Sequence, residues 1–528
     1  MLKISTIGRA LCISALWLSQ NYACAADAQS NAELIRVLVE KGVISAEEGK
    51  KLLAGQNNAP AQNTLRVPYV PQSVKDELGK QVREGVKEDV TAAVMAQAKK
   101  EGWGLPGAQP DWISRLMWGG DFRLRAEDIL FPEDNADNIP DYQIANEKGG
   151  VAQAGAKLWL NSTEDRERLR ARLRLSLNAV VAEGVTVKTR LATGNQLDPV
   201  STNQTFGSYG EKSTFSLDQG YINWQLMDGN VDLNGGRMGS PFITTDLVWD
   251  ADLAFDGISA KWNYLGEAKD KTAKGFKAHI LAGVFPIQEF DWTGEDKWLY
   301  AAEAGASFLQ ENGSSLKMGV TLYTYDNMVG AKNALNSDLT DFTAPKNLQR
   351  GNSLFNIRNS ANPTGAVELY ALASNYQELG VTASYDIATA TPEHVVITAD
   401  YVTNIGYDAA AVQARMGVKD YAKETSGYKL EVLYGALKVQ QVGDWNASFA
   451  YRHLERDAVL DAFADSDFLQ GGTDNKGFIL SGEYGLRKNL SVKLNVLSAS
   501  SIDKVPADKD GHTGYQSDVV QLDLNARF

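Results

Sequence analysis

The sequence is poor in the residues that many enzyme and metal sites use. Its 528 residues include two cysteines and four histidines. Both cysteines, Cys12 and Cys24, lie near the amino terminus, so the rest of the chain can form neither disulfides nor catalytic thiolates. The histidines are far apart and lack the His-x-x-x-His spacing of a zinc site. They are His279, His394, His453 and His512. This composition argues against an enzyme and predicts no metal site and no cofactor.

Basic side chains are also fewer than acidic ones. The chain has 52 lysines and arginines against 66 aspartates and glutamates, a formal net charge of −14. Loss of Lys3 and Arg9 with an amino-terminal leader would change this charge to −16. An acidic chain is repelled by phosphate backbones, so we predict no nucleic-acid partner.

Long apolar runs are absent after residue 30, so the sequence predicts no transmembrane helix. The one apolar run, 10–18, follows two cations and precedes small residues at 23–26. This pattern predicts a cleaved secretory signal peptide over 1–26, and therefore export. A lipoprotein signal at Cys24 is the alternative, but the residues before that cysteine lack the leucine-like side chain such a signal uses.

The rest of the chain has a repeated pattern. From Trp118 to Phe528, segments of about ten residues alternate apolar and polar positions, which is typical of strands with one apolar and one polar face. The connections alternate between short and long, as in transmembrane β-barrels. Several short ones contain the glycine or asparagine that tight hairpins require, such as Asp228-Gly229 and Asn312-Gly313.

We therefore predict an all-β fold for residues 111–528, a transmembrane antiparallel β-barrel of about 16 strands, with 14 or 18 as alternatives. The predicted strands are 118–127, 167–182, 185–194, 216–227, 231–238, 256–265, 275–286, 298–310, 314–325, 374–387, 393–404, 426–437, 443–454, 477–487, 490–500 and 518–528.

Residues 27–110 have a helical pattern instead. The spacings Ser30/Glu33 and Ser45/Glu48 predict two short capped helices. Beyond a proline-containing linker, apolar residues recur every four positions and predict a third helix. Its stripe fits a coiled coil over 73–100, or a single helix lying on the barrel or on a partner. We predict that this extension is periplasmic.

The polar strand faces decide what the barrel does. In the last strand one face is apolar and the other polar: Val520, Leu522, Leu524, Ala526 and Phe528 oppose Gln521, Asp523, Asn525 and Arg527. A charge facing lipid at the membrane midplane would cost about 2–4 kcal/mol. The polar faces are therefore predicted to line a water-filled lumen, which makes the protein a pore.

The strongest local signal is an arginine at every second position from Arg166 to Arg174. A period of two places these side chains on one strand face, and cations on the flanking strands have the same parity. The predicted pore-lining residues are Arg123, Arg125, Arg168, Arg170, Arg172, Arg174, Lys188 and Arg190. The alternative is that these arginines only neutralise Glu127, Asp128 and other acids near the rim.

The third long loop, 239–255, carries Asp246, Asp250 and Asp252. Opposed rows of arginine and carboxylate would set a transverse field across a constriction, which favours water and small polar solutes. We predict weak anion preference despite the negative total charge, because most loop acids lie far from the constriction.

Several segments resemble the putative porin family of Gram-negative bacteria. They are the short helices around Glu33–Leu53, Trp112 with the run Trp118-Gly-Gly-Asp-Phe-Arg-Leu-Arg, and the arginine ladder. The terminal Phe528 after Leu522 and Leu524 resembles the assembly signal of outer-membrane proteins. The resemblance implies a diffusion channel in the cell outer membrane, forming a homotrimer, with outer-membrane lipid and the barrel assembly machinery as partners.

The same resemblance implies that the third loop folds into the barrel with its acids facing a basic wall. Asp246, Asp250 and Asp252 would form the loop part and Arg168–Arg174 the wall. The longer amino-terminal extension departs from the best-known porins and suggests a periplasmic contact with peptidoglycan.

The predicted function is therefore passive diffusion of small hydrophilic solutes and ions. A substrate-specific uptake channel for anions or organic acids is the alternative, because arginine binds phosphate and carboxylate through paired hydrogen bonds. A structural anchor or adhesin with a closed lumen is less favoured.

Overall fold

The computed structural model describes residues 111–264, 275–361 and 367–528. It also describes five isolated helical positions, Val39, Glu47, Lys50, Thr91 and Val94. Apart from these positions, the predicted signal peptide, the extension over 27–110 and its coiled coil lie outside the described residues. Within the described ranges, no helix is both long enough and apolar enough to cross a membrane.

The described residues form a closed ring of 16 long antiparallel strands, as predicted. Each strand pairs with its neighbours in sequence, and the first pairs with the last, with Asp121 opposite Arg527. The strands are β1 Leu116–Leu130, β2 Arg166–Ala182, β3 Val185–Thr193, β4 Phe215–Leu226, β5 Val231–Gly239, β6 Ala254–Tyr264, β7 Gly275–Gln288, β8 Lys297–Leu309, β9 Ser315–Asp326, β10 Gln377–Ala388, β11 His394–Asn404, β12 Ser426–Gly435, β13 Trp445–Leu454, β14 Asn475–Arg487, β15 Leu490–Ser500 and β16 Gln516–Arg527.

The connections differ at the two ends of the barrel. Short connections such as 183–184 and 488–489 lie at one end, which we call the short-turn end, and long connections lie at the other, the long-loop end. Asp228 and Gly229 both adopt positive φ, 56° and 82°, the backbone conformation predicted for a tight turn.

The long connections contain short elements that the sequence pattern did not predict. Among the described residues these are the helices Tyr142–Lys148, Val151–Ala154 and Ala409–Met416, the 3-10 turns Gly155–Leu158, Asp341–Thr343, Asp461–Phe463 and Phe468–Gln470, the strand Gln204–Thr205, and a two-stranded sheet of Leu354–Asn356 with Tyr370–Leu372. Asp111–Ser114 forms a helical turn before β1, and Met227–Gly229 forms a 3-10 turn between β4 and β5.

The two faces of the strands differ in exposure. On β2, Leu169 is 53% exposed on the outer surface, whereas the neighbouring Arg170 is 9% exposed and lies inside. Exposed aromatic side chains lie near both ends of the barrel, with Trp262 and Trp445 at the short-turn end and Tyr428 at the long-loop end. Such aromatic girdles mark the two interfaces of a membrane.

The last residue completes the seam between β1 and β16. Phe528 exchanges two backbone hydrogen bonds with Gly120, of 2.8 and 3.0 Å. A Cβ atom at Gly120 would lie 2.7 Å from the Phe528 ring, so a glycine is required where the terminal ring packs. The chain end is therefore part of the wall of the barrel.

The main apolar core lies inside the barrel. Loop residues Phe242, Leu247 and Trp249 pack against the inner-face residues Phe285 and Tyr323. Burial of each large apolar side chain contributes roughly 1.5–3 kcal/mol. This packing holds the connection between β5 and β6, residues 240–253 and hereafter loop 3, within the bore.

Candidate functional site

Loop 3 extends into the interior and contacts strands that do not adjoin those that carry it. The Ile243 amide donates to the Glu303 carboxylate of β8 at 2.7 Å. The amide and hydroxyl of Thr245 donate to Asp400 of β11 at 3.0 and 2.7 Å. Neither β8 nor β11 adjoins the strands that carry the loop, so these contacts place loop 3 across the bore.

Glu303 is the centre of the loop 3 anchor. Its carboxylate also accepts a hydrogen bond from the Thr321 hydroxyl at 2.9 Å and lies 2.8 Å from His279 Nε2. Two glycines leave room for these groups. A Cβ at Gly305 would lie 2.1 Å from the His279 ring, and one at Gly319 would lie 2.9 Å from a loop 3 side chain. The inner wall is therefore shaped to receive the loop.

Asp246 lies at the tip of loop 3 and pairs with cations of β12 and β13. The Lys429 ammonium is 2.5 Å from its carboxylate, and the Arg452 guanidinium donates to its carbonyl at 3.4 Å. Burial favours the neutral acid, but the charges of Lys429 and Arg452 outweigh it and lower the pKa of Asp246. Asp246 is thus an ionised partner of these two strands, not of the arginine ladder.

Asp250 joins loop 3 to the connection between β13 and β14, residues 455–474 and hereafter loop 7. Its amide donates to the Phe463 carbonyl, and its carboxylate accepts from the Ser466 amide, both at 3.0 Å. Burial, reinforced by the neighbouring Asp465, raises the pKa of Asp250 to about 8. This carboxyl is therefore largely protonated at neutral pH.

Asp252 is the predicted loop acid that contacts the arginine ladder. Its carboxylate lies 3.7 Å from Arg172 and 3.4 Å from Arg174, and it accepts from the Thr202 amide and hydroxyl at 3.1 and 2.8 Å. Burial opposes ionisation, but Arg172 and then Thr202 outweigh it and lower the pKa of Asp252. The three aspartates face different walls because the loop spans the bore.

The ladder arginines are matched by carboxylates. Six arginines on the inner faces of β1 and β2 pair with five carboxylates. The arginines are Arg123, Arg125, Arg168, Arg170, Arg172 and Arg174, and the acids are Asp121, Glu127, Asp252, Asp467 and Asp523. Arg125 holds Asp523 through two hydrogen bonds of 2.7 and 2.9 Å and reaches Asp467 of loop 7 at 3.0 Å. Burial opposes ionisation of Asp467, but Arg125 and Arg170 lower its pKa to about 2. Six cations against five acids leave a small positive excess on this wall.

The two predicted cations of β3 stand apart from this network. Arg190 bonds to Asp218 of β4, and the Lys188 ammonium lies over the Tyr221 ring at 5.7 Å. They lie on the same inner face as the ladder but make their contacts with β4.

Loop 3 lies between two polar cavities inside the barrel. One, of about 380 Å³, is near the short-turn end and is lined by Ile243, Lys261, Lys277, His279 and Lys317, among others. The other, of about 370 Å³, is near the long-loop end and is lined by Asp198, Thr202, Asp218, Arg237 and Asp252, among others. Loop 3 therefore contributes to the lining of both cavities.

The sequence pattern did not predict several residues that contact loop 3 or the ladder. They are Glu303, Asp400, Arg452, Asp467 and Asp523 as contact residues of loop 3 or the ladder. A usable signal exists for Glu303, an acid between the small residues Ala301 and Gly305 on the inner face of its strand. Across the described ranges, no group of three or more histidine, cysteine, aspartate or glutamate residues could hold a metal ion.

Several known proteins are similar to this chain. A comparison with curated protein sequences finds no match. Among solved structures, OprB of Pseudomonas putida at high pH is 12% identical, with a TM-score of 0.45 over 81% of this chain and 97% of that chain. The outer membrane channel DcaP of Acinetobacter baumannii is 14% identical, with a TM-score of 0.39 over 78% of this chain and 97% of that one.

OmpF of Salmonella typhi, in complex with daunomycin, is 8% identical, with a TM-score of 0.38 over 78% of this chain and 97% of that one. The sequence profile described as "Putative porin" matches residues 28–528. Since the match covers nearly the whole chain, this protein belongs to the putative porin family of outer-membrane channels.

Proposed function

We propose that the barrel is a water-filled channel for passive diffusion of small hydrophilic solutes and ions, narrowest between the arginine ladder and loop 3. The supporting observation is the position of loop 3, which is held across the bore between polar cavities of about 380 and 370 Å³. A loop fixed at that place limits the passage without filling the space on either side of it.

The charges at this passage favour polar solutes. Arg172 and Arg174 are in ion-pair contact with Asp252 of loop 3 at 3.4–3.7 Å, and opposite charges that border a passage in this way orient the water and polar molecules beside them. The ladder has one more cation than acid, so we propose weak anion preference. The pore-lining role belongs to Arg123, Arg125, Arg168, Arg170, Arg172, Arg174, Lys188 and Arg190, and the constriction role to Asp246, Asp250 and Asp252.

One observation favours the second candidate, a specific uptake channel for anions or organic acids. The cavity at the short-turn end is lined by three lysines, Lys261, Lys277 and Lys317, against one aspartate, Asp232. Such a group of cations raises the local concentration of anions. Saturable transport of one anion would distinguish this function from simple diffusion.

The proposal is tested by reconstituting the protein into planar bilayers. We expect stepwise current increases in KCl and, with a concentration gradient, a reversal potential of the sign that indicates weak anion preference. Strong cation preference would contradict the charge argument. A correctly folded protein that carries no current would favour the structural anchor, and current that saturates with one anion would favour the uptake channel.

The assembly of the channel follows from the same reasoning. We propose export through cleavage of the signal peptide over 1–26, insertion into outer-membrane lipid by the barrel assembly machinery, and formation of a homotrimer. Chemical cross-linking in native membranes tests the trimer, since a single monomer band would oppose it. We propose that the extension over 27–110 contacts peptidoglycan, which co-sedimentation with purified peptidoglycan tests.

Replacing Phe528 with alanine should reduce the amount of protein in the outer membrane several-fold. The ring packs at Gly120 where β16 meets β1, so its loss weakens the seam as well as the proposed assembly signal. The measurement is the folded fraction in outer-membrane preparations, read from heat-dependent mobility on gels. Phe528→Tyr, which keeps the ring, is the control. Equal insertion of the wild type and both variants would contradict the proposed role of the Phe528 ring in assembly.

A further inference from the structure

A separate cavity of about 170 Å³ lies at the long-loop end, between the barrel wall and loop 7. Its lining includes the apolar residues Leu253, Phe285, Leu460 and Phe463. It shares Pro199, Arg237, Lys346 and Asn347 with the larger cavity beside Asp252. The two cavities therefore adjoin, and a solute in the bore has a route to the smaller one.

Lys297, the first residue of β8, lines this cavity as a buried cation. It is 2% exposed, and its ammonium donates to the carbonyls of Ala344 at 3.0 Å and Thr343 at 3.4 Å. In the described part of the chain, no carboxylate lies within ion-pair distance of it, although its ammonium lies over the Phe290 ring at 5.8 Å. A buried charge is costly unless an opposite charge accompanies it. Two carbonyls occupy only two of the three ammonium hydrogens.

Asp461 lines the same cavity and is also unusual. It is 1% exposed, and within the described residues its carboxylate has no hydrogen bond of ordinary geometry, although backbone donors such as that of Ala462 lie near it. Burial, with a smaller contribution from Asp457, raises the pKa of Asp461 to about 7. Near neutral pH this group is therefore only partly ionised and repels an anion less than an ordinary aspartate would.

We propose that this cavity binds a small organic monocarboxylate with an apolar body, whose carboxylate pairs with Lys297. The proposal rests on the channel function, since the ligand arrives through the bore, and it deepens that function by naming a solute class. The apolar lining suits a ring or short hydrocarbon chain. An apolar cavity of about 150 Å³ is large enough to bind benzene, so this one can hold a single such body.

The charges around the cavity agree with an anionic ligand. Arg237 and Lys346 line it in addition to Lys297. Asp256, also in the lining, is paired with Arg237 at 3.2 Å. Since Asp461 is partly neutral, cations predominate, and a protonated Asp461 has a hydroxyl that could donate to the ligand.

The test is block of the channel current by benzoate in planar bilayers, together with calorimetric binding of benzoate to the purified protein. We expect saturable block by benzoate and none by benzyl alcohol, which has the ring without the charge. Lys297→Met, which keeps the length of the side chain, should raise the half-blocking concentration roughly tenfold or more, the loss expected for one charge-assisted hydrogen bond. Lys509→Met is the matched control, because that lysine is exposed on the outer loop 501–515.

A second variant keeps the proposal testable if Lys297→Met does not fold. Asp461→Asn removes the competing acid, so benzoate should block at lower concentration than in the wild type. Unchanged block in both variants, or tighter binding of phenylalanine than of benzoate, would overturn the assignment to a simple carboxylate. Absence of current without benzoate would instead count against the channel function, and calorimetry would still decide whether the site binds benzoate.

Discussion

Replacing Arg170 and Arg172 together with alanine should shift the ion selectivity of the channel toward cations. Arg172 lies 3.0 Å from Asp121, and Arg170 lies 3.6 Å from Glu127 and 3.9 Å from Asp467. The double variant changes six ladder cations against five acids into four against five, so the excess charge of the wall changes sign. A passage bordered by excess carboxylate attracts cations.

The size of the shift can be estimated from the charges. A unit charge about 8 Å from an ion in water is worth about 0.5 kcal/mol. Each arginine removed should therefore lower anion permeability and raise cation permeability roughly twofold each, which changes their ratio roughly fivefold. The measurement is the reversal potential in a KCl gradient. The control is Arg487→Ala, since the Arg487 side chain is exposed and donates to the adjacent Leu486 carbonyl. An unchanged reversal potential in the folded double variant would place these side chains away from the conduction path.

The barrel could be predicted because its signals are local. A strand needs only alternation along ten residues, and the turn at Asp228-Gly229 needs only residues that accept positive φ. The observed strand bounds differ from the predicted ones by a few residues. For example, β1 is predicted over 118–127 and is observed over Leu116–Leu130. The inward parity of the arginines follows from the same alternation, because a slip of one residue would turn every side chain to the other face.

The contacts of loop 3 could not be predicted in this way. Alternation assigns a residue to a face, but it does not say which residues meet across the bore. Asp246 contacts Lys429, 183 positions away, and Arg125 contacts Asp467, 342 positions away. The resemblance implied that all three loop aspartates face the ladder, whereas Asp246 pairs with β12 and Asp250 bonds to loop 7. A loop that spans the bore reaches several walls, and its path depends on packing around Trp249.

Replacing Trp249 with alanine should release loop 3 and enlarge the passage. Trp249 is 4% exposed and packs edge-on against Phe255 and Tyr323, with ring centroids 5.0 and 5.1 Å away. Removal of a buried tryptophan side chain typically costs about 3–5 kcal/mol, because it leaves a cavity. Polar contacts at Glu303 and Asp400 hold the tip of the loop, and those of Asp250 and Asp252 hold its end. The loss of Trp249 would therefore remove the main apolar attachment between these polar contacts.

Two measurements follow from this loss of packing. Amide hydrogen exchange in loop 3 should accelerate strongly, since local opening would need less free energy, and the single-channel current should rise and become noisier. The matched control is Trp292→Ala, whose side chain is 62% exposed in the connection between β7 and β8. Faster exchange without a change in current would mean that loop 3 does not limit the passage, whereas unchanged exchange would mean that the polar anchors alone fix the loop. Since the strand pairing of the barrel does not involve Trp249, the ring should stay closed in this variant, and any change in current reports on the loop.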